Sequence, residues 1–442
     1  MSFIPKYIFI LGTTITVDYI AGRYIEKVEG SKKRLYLIIS IICNVGFLAF
    51  YKYFNFINEN ISDLANFLNW NYPIKAFEII LPIGLSFHTF QAMSYTIEVY
   101  RGNQKAEKHF GIYALYVMFY PQLVAGPIER PQNLIRQFYE KHHFDYKNVT
   151  DGLKLMLWGF FKKMVIADRL ASYVNEVYNH PDLYHGTPVI LATVFFAIQI
   201  FCDFSAYSDI AIGAAKVMGF RLMLNFNTPY FSKTIKEFWT RWHISLSSWL
   251  RDYLFVPLSM YYRNGKVYGV CLAILITFSI SGLWHGAKWT FVIWGVIHGL
   301  YLALSIVLSK LKKRINKFFK INTDFFLIKI FDVSIVFILV CFTWIFFRSD
   351  SVSTAFKLIG NSVNFSNGLL NYDVLGGKTD LFITVLMIML MEIIHLMQRK
   401  SSVIKIINSY SKFVRWLVYC LFVWLILIFG QFGNQQFIYF QF

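Results

Sequence analysis

A histidine stands in a glycine-rich break between two apolar segments. Residues 281–289 read S-G-L-W-H-G-A-K-W and place His285 between Trp284 and Gly286. Apolar stretches lie on both sides, at residues 267–280 and 290–308. An ionisable side chain at membrane depth is costly and usually faces a cavity or a pathway, and histidine can transfer a proton near neutral pH. The pattern therefore favours acid–base chemistry at His285 over simple packing.

A second histidine lies in a segment that is rich in tryptophan. His243 stands in the sequence R-W-H-I-S-L-S, within residues 237–258, which mix aromatic and charged side chains. A histidine that acts as a base needs a partner that fixes its tautomer or carries a second proton, and His243 could serve His285 in this way. The alternative is a surface histidine among cytoplasmic charges. Because 42 residues separate the two histidines, only the fold can bring them together.

The composition indicates an integral membrane protein built from helices. Of the 442 residues, 56% are hydrophobic and 15% are charged, whereas soluble domains carry about 25% charged residues. The apolar residues form long unbroken runs rather than the short alternating strands of a barrel. The net charge of +18 is clustered between these runs, which favours loops facing anionic lipid over nucleic-acid binding. The five cysteines have no metal-ligand spacing, so we predict no metal site.

The apolar runs also predict the helices that must position the two histidines. A spanning helix needs about 20 mostly apolar residues. The candidates are residues 7–22, 35–54, 77–99, 112–125, 188–217, 267–280, 290–308, 326–347, 381–397 and 416–430. Pro82 and Gly84 break the third candidate, and residues 152–170 and 237–258 resemble interfacial amphipathic helices. We predict an all-α, polytopic integral membrane protein with about 10–11 transmembrane helices, folded as a single domain over residues 1–442.

Two carboxylates inside the fifth candidate span have an open role. Asp203 and Asp209 are six residues apart, about 240° around an ideal helix. They cannot share a face unless the helix unwinds near residues 205–208. They could orient a histidine or form hydrogen bonds within the bundle. The histidines of the other spans are predicted to be structural: His88, His298 and His395.

Several motifs occur in an order that is typical of one family. They are Y-P-Q-L-V-A-G-P-I-E-R-P (120–131), F-C-D-F-S-A-Y-S-D-I-A-I-G (201–213), N-F-N-T-P-Y (225–230), F-W-T-R-W-H-I-S-L-S-S-W-L-R-D-Y-L-F-V-P (238–257), S-G-L-W-H-G-A (281–287) and F-I-Y-F-Q-F (437–442). Together they resemble the membrane-bound O-acyltransferase (MBOAT) family. The closest resemblance is to its bacterial branch of alginate and peptidoglycan O-acetylation and teichoic-acid D-alanylation proteins. The resemblance is strong over residues 80–300 and looser elsewhere.

This resemblance implies a fold, a reaction and its catalytic residues. His285 matches the histidine that the family treats as catalytic, and His243 matches a second polar site of the bacterial branch. The implied fold has spans and broken helices around a central tunnel. The implied activity moves an acetyl group from a cytoplasmic thioester, acetyl-CoA or an acyl carrier, across the membrane to hydroxyls of a cell-envelope polysaccharide such as peptidoglycan or alginate. No bound cofactor is implied.

Direct acyl transfer needs a base for the hydroxyl group and a donor for the oxyanion. His285 is expected to supply the base. Backbone N–H groups near Gly282 or Gly286, or the indole N–H of Trp284 or Trp242, are expected to meet the oxyanion. A covalent acyl-histidine stays an alternative.

The resemblance also implies a location and partners. It places a multi-pass protein in the lipid bilayer of the bacterial inner (cytoplasmic) membrane, with an extracytoplasmic O-acetyltransferase partner protein and no nucleic acid. Three alternatives stay open: D-alanyl transfer to teichoic acid, a transporter without acyl chemistry, and a structural assembly subunit. The sequence has no inverted repeat, which weighs against a transporter.

Positive charge predicts the orientation of the spans. Lysine and arginine cluster at residues 27–34 and 310–320, whereas residues 172–188 contain neither. We expect the first two loops to be cytoplasmic and the third external, which places His285 towards the centre or the outer half of the bilayer. Single cysteines at positions 313 and 182, in a background without the native five, can be probed on intact cells with an impermeant thiol reagent. Labelling at 313 but not at 182 would reverse this orientation.

Overall fold

Long apolar runs fold as helices because a backbone that is shielded from water must satisfy its own hydrogen bonds. The structure, a computed structural model, describes residues 7–77, 82, 84–320, 322–365, 377–399, 401–433 and 437–438. Within these ranges every regular element is a helix and no strand occurs, which confirms the all-α prediction. The chain divides into two compact units, Met1–Val149 with Ala215–Met223 and Thr150–Ala214 with Leu224–Phe442. That one domain covers the whole chain therefore stays a prediction.

The described part of the first unit contains six α-helices, given below, and a buried polar cluster that joins three of them. Asp18 is fully buried and accepts hydrogen bonds from Ser40 Oγ at 2.6 Å and from Asn44 Nδ2 at 2.8 Å. Ser40 also lies 3.0 Å from Thr96 Oγ1. Buried polar groups of this kind are stable only when they pair with one another. The helices are α1 (Ile8–Lys27), α2 (Gly30–Leu48), α3 (Phe54–Phe67), α4 (Leu85–Arg101), α5 (Phe110–Met118) and α6 (Pro131–Gln137).

The second unit has an aromatic core formed mainly by the remaining helices. Trp294, Trp344 and Phe196 are among its largest fully buried side chains. The helices are α7 (Tyr146–Phe160), α8 (Asp168–Asn179), α9 (Thr187–Val217), α10 (Ile235–Arg241), α11 (Ile244–Leu250), α12 (Val256–Tyr261), α13 (Lys266–His285), α14 (Trp289–Val307), α15 (Ser309–Phe318), α16 (Phe326–Arg348), α17 (Val352–Ser362), α18 (Lys378–Gln398), α19 (Val403–Ser409) and α20 (Lys412–Phe429).

Eight helices in the described part of the chain are long and apolar enough to cross a membrane, compared with the ten candidates from sequence. The two that fall short are α4, with 17 residues, and α5, with 9 residues. Gly84 adopts a left-handed conformation with φ 81°, so α4 begins only at Leu85. Pro121 follows α5 and favours its end. Part of the third candidate, residues 78–81 and 83, and residues 439–442 of the last motif lie outside the described residues.

Residues 152–170 differ from the predicted interfacial helix because Lys162 is buried and Lys163 is mostly so. A π-helical turn, Phe161–Ala167, lies between α7 and α8. Lys162, only 2% exposed, pairs with Asp209 at 2.8 Å, and Lys163 pairs with Asp203 at 2.7 Å. Helix α9 continues unbroken through both aspartates. The carboxylates therefore occupy different faces, as their spacing predicts, and each meets one of two adjacent lysines.

We expect the Lys162–Asp209 pair to be essential for stability. Lys162→Met should lower the free energy of unfolding by about 3–5 kcal/mol, because it leaves the largely buried Asp209 carboxylate without its partner. Lys162→Met combined with Asp209→Leu should recover most of this loss, since two apolar side chains need no partner. The measurement is unfolding in detergent.

The exposed pair Arg136–Glu140 provides a control. Arg136→Met should change the free energy of unfolding by at most about 1 kcal/mol, since exposed pairs are screened by water. An equally small loss for Lys162→Met would contradict the prediction.

Candidate active site

His285 is the last residue of α13, where this helix turns into α14. The two helices approach closely at glycines. A side chain at Gly282 would collide with the carbonyl oxygen of Phe291, and one at Gly295 with that of Phe278. A side chain at Gly286 would collide with the Phe291 ring, so all three glycines allow α13 and α14 to pack closely. This contact holds the end of α13, and with it His285, against α14.

A small cavity lies beside the His285 imidazole. Its volume is about 10 Å³, roughly the space of one water-sized group. The centre of the His285 ring lies 5.0 Å from the Trp294 ring and 5.3 Å from the Phe347 ring. Because these walls carry no ionised group, they suit a small uncharged substituent better than an ion. The other lining residues are Ile200, Phe204, Trp242, Trp344 and Ile438.

Asp203 contributes to the cavity wall rather than to the chemistry at His285. Its Oδ2 accepts a hydrogen bond from the backbone N–H of Ile438 at 2.7 Å, and its Oδ1 pairs with Lys163 at 2.7 Å. Since Ile438 lines the cavity, Asp203 positions one wall of the site. Of the two roles considered for this carboxylate, hydrogen bonding within the bundle is the one observed.

His243 lies at a break between α10 and α11 and not inside an amphipathic helix. Its backbone is left-handed, with φ 43° and ψ 56°. Its side chain is buried, with 1% exposure, as are Trp239, Trp242 and Trp249 of the same segment. The structure therefore contradicts the alternative of a surface histidine, and it differs from the prediction of an interfacial helix at residues 237–258.

Asn225 orients the His243 ring. Its Oδ1 lies 3.1 Å from His243 Nδ1 and accepts from Ser245 Oγ at 2.9 Å, while its Nδ2 donates to Ser208 Oγ at 3.1 Å. Because an amide oxygen can only accept, Nδ1 carries the proton and Nε2 keeps the lone pair. Burial lowers the pKa of His243 to about 3. The ring is therefore neutral at physiological pH, with Nε2 as its basic atom.

Trp284 lies between the two predicted site histidines. Its ring centre is 6.3 Å from that of His243 and 4.9 Å from that of His285, so the imidazole centres are at most about 11 Å apart. Phe204, which lines the cavity, lies 4.6 Å from the His243 ring. The fold thus brings both residues into one neighbourhood, with His285 at the cavity and His243 behind its wall. Their catalytic roles stay predictions.

His298 has hydrogen-bond partners on both ring nitrogens. Its Nδ1 accepts from the Trp239 indole N–H at 3.3 Å. Its Nε2 lies 2.9 Å from Thr343 Oγ1, whose hydroxyl donates to the Val340 carbonyl oxygen. Nε2 must therefore carry the proton. A fully satisfied neutral imidazole agrees with the predicted structural role.

The histidines at positions 88 and 395 are also buried. His88 Nδ1 lies 3.2 Å from the Gly84 carbonyl oxygen, one helical turn earlier. The His395 ring packs 5.3 Å from the Phe201 ring and 6.0 Å from the Trp158 ring. Both placements agree with structural roles.

The backbone donors expected to meet an oxyanion are occupied by the helix. Gly282 lies inside α13, and the Gly286 N–H donates to the Gly282 carbonyl oxygen at 3.4 Å. An N–H within the i→i−4 ladder is not available to a substrate, which disfavours the N–H groups of these two glycines; for the backbone groups near them the expectation stays a prediction. Of the two indoles considered, Trp242 lines the cavity and Trp284 packs against both histidines.

A larger cavity of about 440 Å³ runs beside α13. Ser281, one turn before His285, lies in its wall, and Lys236 and Arg251 contribute its cationic groups. This volume can hold an elongated ligand. Within the described ranges, no group of three or more histidines, cysteines, aspartates or glutamates is placed to hold a metal ion.

The chain belongs to the membrane-bound O-acyltransferase family, whose sequence model matches residues 109–347. It is 35% identical over 336 residues to the probable alginate O-acetylase AlgI of Pseudomonas aeruginosa, covering 76% of this chain and 62% of that protein. It is 31% identical over 395 residues to the peptidoglycan O-acetyltransferase of Helicobacter pylori, covering 82% and 71%. A teichoic acid D-alanyltransferase of Streptococcus thermophilus is 27% identical over 286 residues, covering 56% and 67%. The chain thus spans less than two thirds of the alginate relative, and the resemblance seen in its motifs is confirmed.

Sequence reasoning did not single out two residues of this site. Asn225 begins the motif N-F-N-T-P-Y, which the sequence marks as typical of the family without indicating what Asn225 does. Trp294 lies nine residues after His285 in the next helix. Its local pattern is that of any apolar span, and only the packing of α13 on α14 places it beside His285.

We expect Asn225 to control the protonation of His243. Asn225→Ala should lower turnover by roughly 10–100-fold, less than the loss of a general base. In Asn225→Asp, a carboxylate beside Nδ1 should raise the pKa of His243 from about 3. Turnover should then fall as the pH drops through the raised pKa, because the protonated ring has no basic atom.

The measurement is kcat against pH, between roughly pH 5 and 8, the range in which a histidine close to its ordinary pKa titrates. Asn227→Asp is the matched control, since Asn227 belongs to the same motif but its side chain is exposed. Identical profiles for both aspartate variants would contradict the assigned role of Asn225.

Proposed function

We propose that this protein is a membrane O-acetyltransferase that moves an acetyl group from a cytoplasmic thioester across the membrane to hydroxyls of a cell-envelope polysaccharide, by way of an extracytoplasmic partner protein. The observation that carries the proposal is the placement of His285, a buried imidazole at the end of α13, beside a cavity of about 10 Å³ with aromatic walls. Membership of the O-acyltransferase family supports the reaction class. Relatives named for alginate and peptidoglycan O-acetylation support the acceptor class.

In the proposed reaction His285 acts as the base. It takes the proton of the acceptor hydroxyl while the hydroxyl oxygen attacks the acyl carbonyl carbon. The carbon–sulfur bond then breaks, the thiolate leaves with its electron pair, and the proton passes from His285 to the sulfur. His243, held by Asn225, assists from behind the cavity wall as a positioned neutral imidazole.

The larger cavity beside α13 is the proposed entry for the donor. The cavity runs along α13 and ends at Ser281, one turn before His285. Lys236 and Arg251 suit the phosphate groups of acetyl-CoA or of an acyl carrier arm. The donor is therefore used as a substrate, and no resident cofactor is proposed.

Acetyl is favoured over D-alanyl by the chemistry of the small cavity. A D-alanyl group carries an ammonium, which needs a carboxylate or several oxygen acceptors when it is buried. The eight residues that line the cavity include no carboxylate. D-alanyl transfer stays the second candidate because of the teichoic acid D-alanyltransferase among the relatives.

A transporter and an assembly subunit are less well supported. A transporter needs polar groups along a passage, whereas apolar and aromatic side chains surround the His285 cavity. An assembly subunit would not need a buried imidazole there. We place the protein in the bacterial cytoplasmic membrane, with an extracytoplasmic O-acetyltransferase partner that passes the acetyl group to the polysaccharide.

Replacement of His285 tests this function. His285→Ala should lower acetyl transfer by roughly 10²–10⁴-fold, the contribution of a general base, with membrane insertion unchanged. Mass spectrometry of cell-envelope glycans measures the transfer, and the mass of the added group separates acetyl from D-alanyl. His143→Ala, at an exposed histidine, is the control. Transfer by His285→Ala within a factor of two of the parent would refute the assignment.

A further inference from the structure

Two buried indoles beside His285, those of Trp294 and Trp344, have an Nε1–H without an acceptor in good hydrogen-bond geometry among the described residues. Trp294 is fully buried in α14, and its Nε1–H has no acceptor among the described residues. A buried donor without a partner is costly. The retained N–H therefore calls for an acceptor that arrives from outside the chain.

The neighbouring Trp239 shows that this core can satisfy an indole donor. The two indole rings are 5.8 Å apart, and Trp239 donates to His298 Nδ1 at 3.3 Å. Trp344 lines the same cavity, but its indole interacts with the Tyr230 hydroxyl, which leaves Trp294 as the donor that a substrate can satisfy. The cavity, at about 10 Å³, has room for roughly one oxygen-sized group.

We propose that the Trp294 N–H donates to the carbonyl oxygen of the acyl group and stabilises the negative charge that develops there. This inference rests on the function proposed above. As the hydroxyl oxygen bonds to the carbonyl carbon, the carbonyl π electrons move onto the oxygen that Trp294 holds. They return to re-form the carbonyl when the carbon–sulfur bond breaks and the thiolate leaves.

The surroundings of Trp294 fix its ring before the substrate binds. It stacks on Trp344 at 5.9 Å with planes 20° apart, and it meets Phe347 at 5.2 Å and His298 at 5.0 Å. Its ring is nearly perpendicular to that of His285, at 85°. A donor held in this way need not reorganise as the charge develops, which makes it effective.

Trp294→Phe removes the N–H and keeps an aromatic ring. We expect kcat to fall by about 10²-fold, the usual cost of removing one hydrogen-bond donor to an oxyanion. The KM for the thioester should change by at most about threefold, because the interaction strengthens in the transition state. Trp158→Phe is the control, at a buried indole that packs on Phe161 and His395. If Trp294→Phe does not fold, benzothienylalanine at position 294 replaces only the N–H by sulfur.

A thioester substrate with an electron-withdrawing acyl group can separate this role of Trp294 from a structural one. A fluoroacetyl thioester stabilises its own oxyanion, so the ratio of parent to Trp294→Phe rates should shrink with this substrate. A structural defect would leave the ratio unchanged, which would overturn the proposal.

Two further outcomes distinguish a failure of this inference from a failure of the proposed function. If Trp294→Phe retains kcat within about threefold, far less than a donor's usual 10²-fold, while His285→Ala is inactive, the indole binds only an ordered water and this inference is wrong. If His285→Ala is as active as the parent, the proposed function itself fails.

Discussion

The pairing of two adjacent lysines with two aspartates of α9 is the interaction on which the second unit depends. Lys162 lies buried beside the rings of Trp158 and Phe201, where a charge without a partner would be very unfavourable, and Lys163 is mostly buried next to it. Asp209 and Asp203 neutralise them at 2.8 Å and 2.7 Å, and Ser205 accepts a further hydrogen bond from Lys162 at 2.7 Å. These contacts fix α9 against the turn that joins α7 and α8.

Once α9 is fixed, one stretch of it organises the candidate site. Asp203 holds Ile438 at the cavity, and Phe204 forms the wall between the cavity and His243. One turn further, Ser208 accepts from Asn225, which in turn orients His243. The charged residues within this membrane helix therefore act on the site indirectly, through packing and hydrogen bonds, and need not touch a substrate.

The sequence predicts this fold and site only where the signal is local. Apolar runs predict the long helices, and the costly position of His285 marks it without any structure. The pairing of Lys162 with Asp209 joins residues far apart in the chain and leaves no local signal. From their own pattern, residues 152–170 are therefore predicted to form an interfacial helix. The roles of Asn225 and Trp294 also depend on side chains from other helices. The short α4 and α5 were misjudged because hydropathy counts apolar residues across Gly84 and Pro121.

The position of His285 at the end of α13 suits a base that becomes positively charged. The last carbonyl groups of a helix carry partial negative charge, which stabilises a nearby cation by about 0.3–1 kcal/mol, and by up to about 2 kcal/mol where water is partly excluded. As His285 takes a proton from the hydroxyl, its developing imidazolium lies at this end. In the next helix, the Trp294 N–H would donate to the developing oxyanion. The C-terminal end of α13 thus stabilises the imidazolium of His285, and the Trp294 N–H of α14 stabilises the oxyanion. The aromatic walls exclude water, which strengthens both interactions.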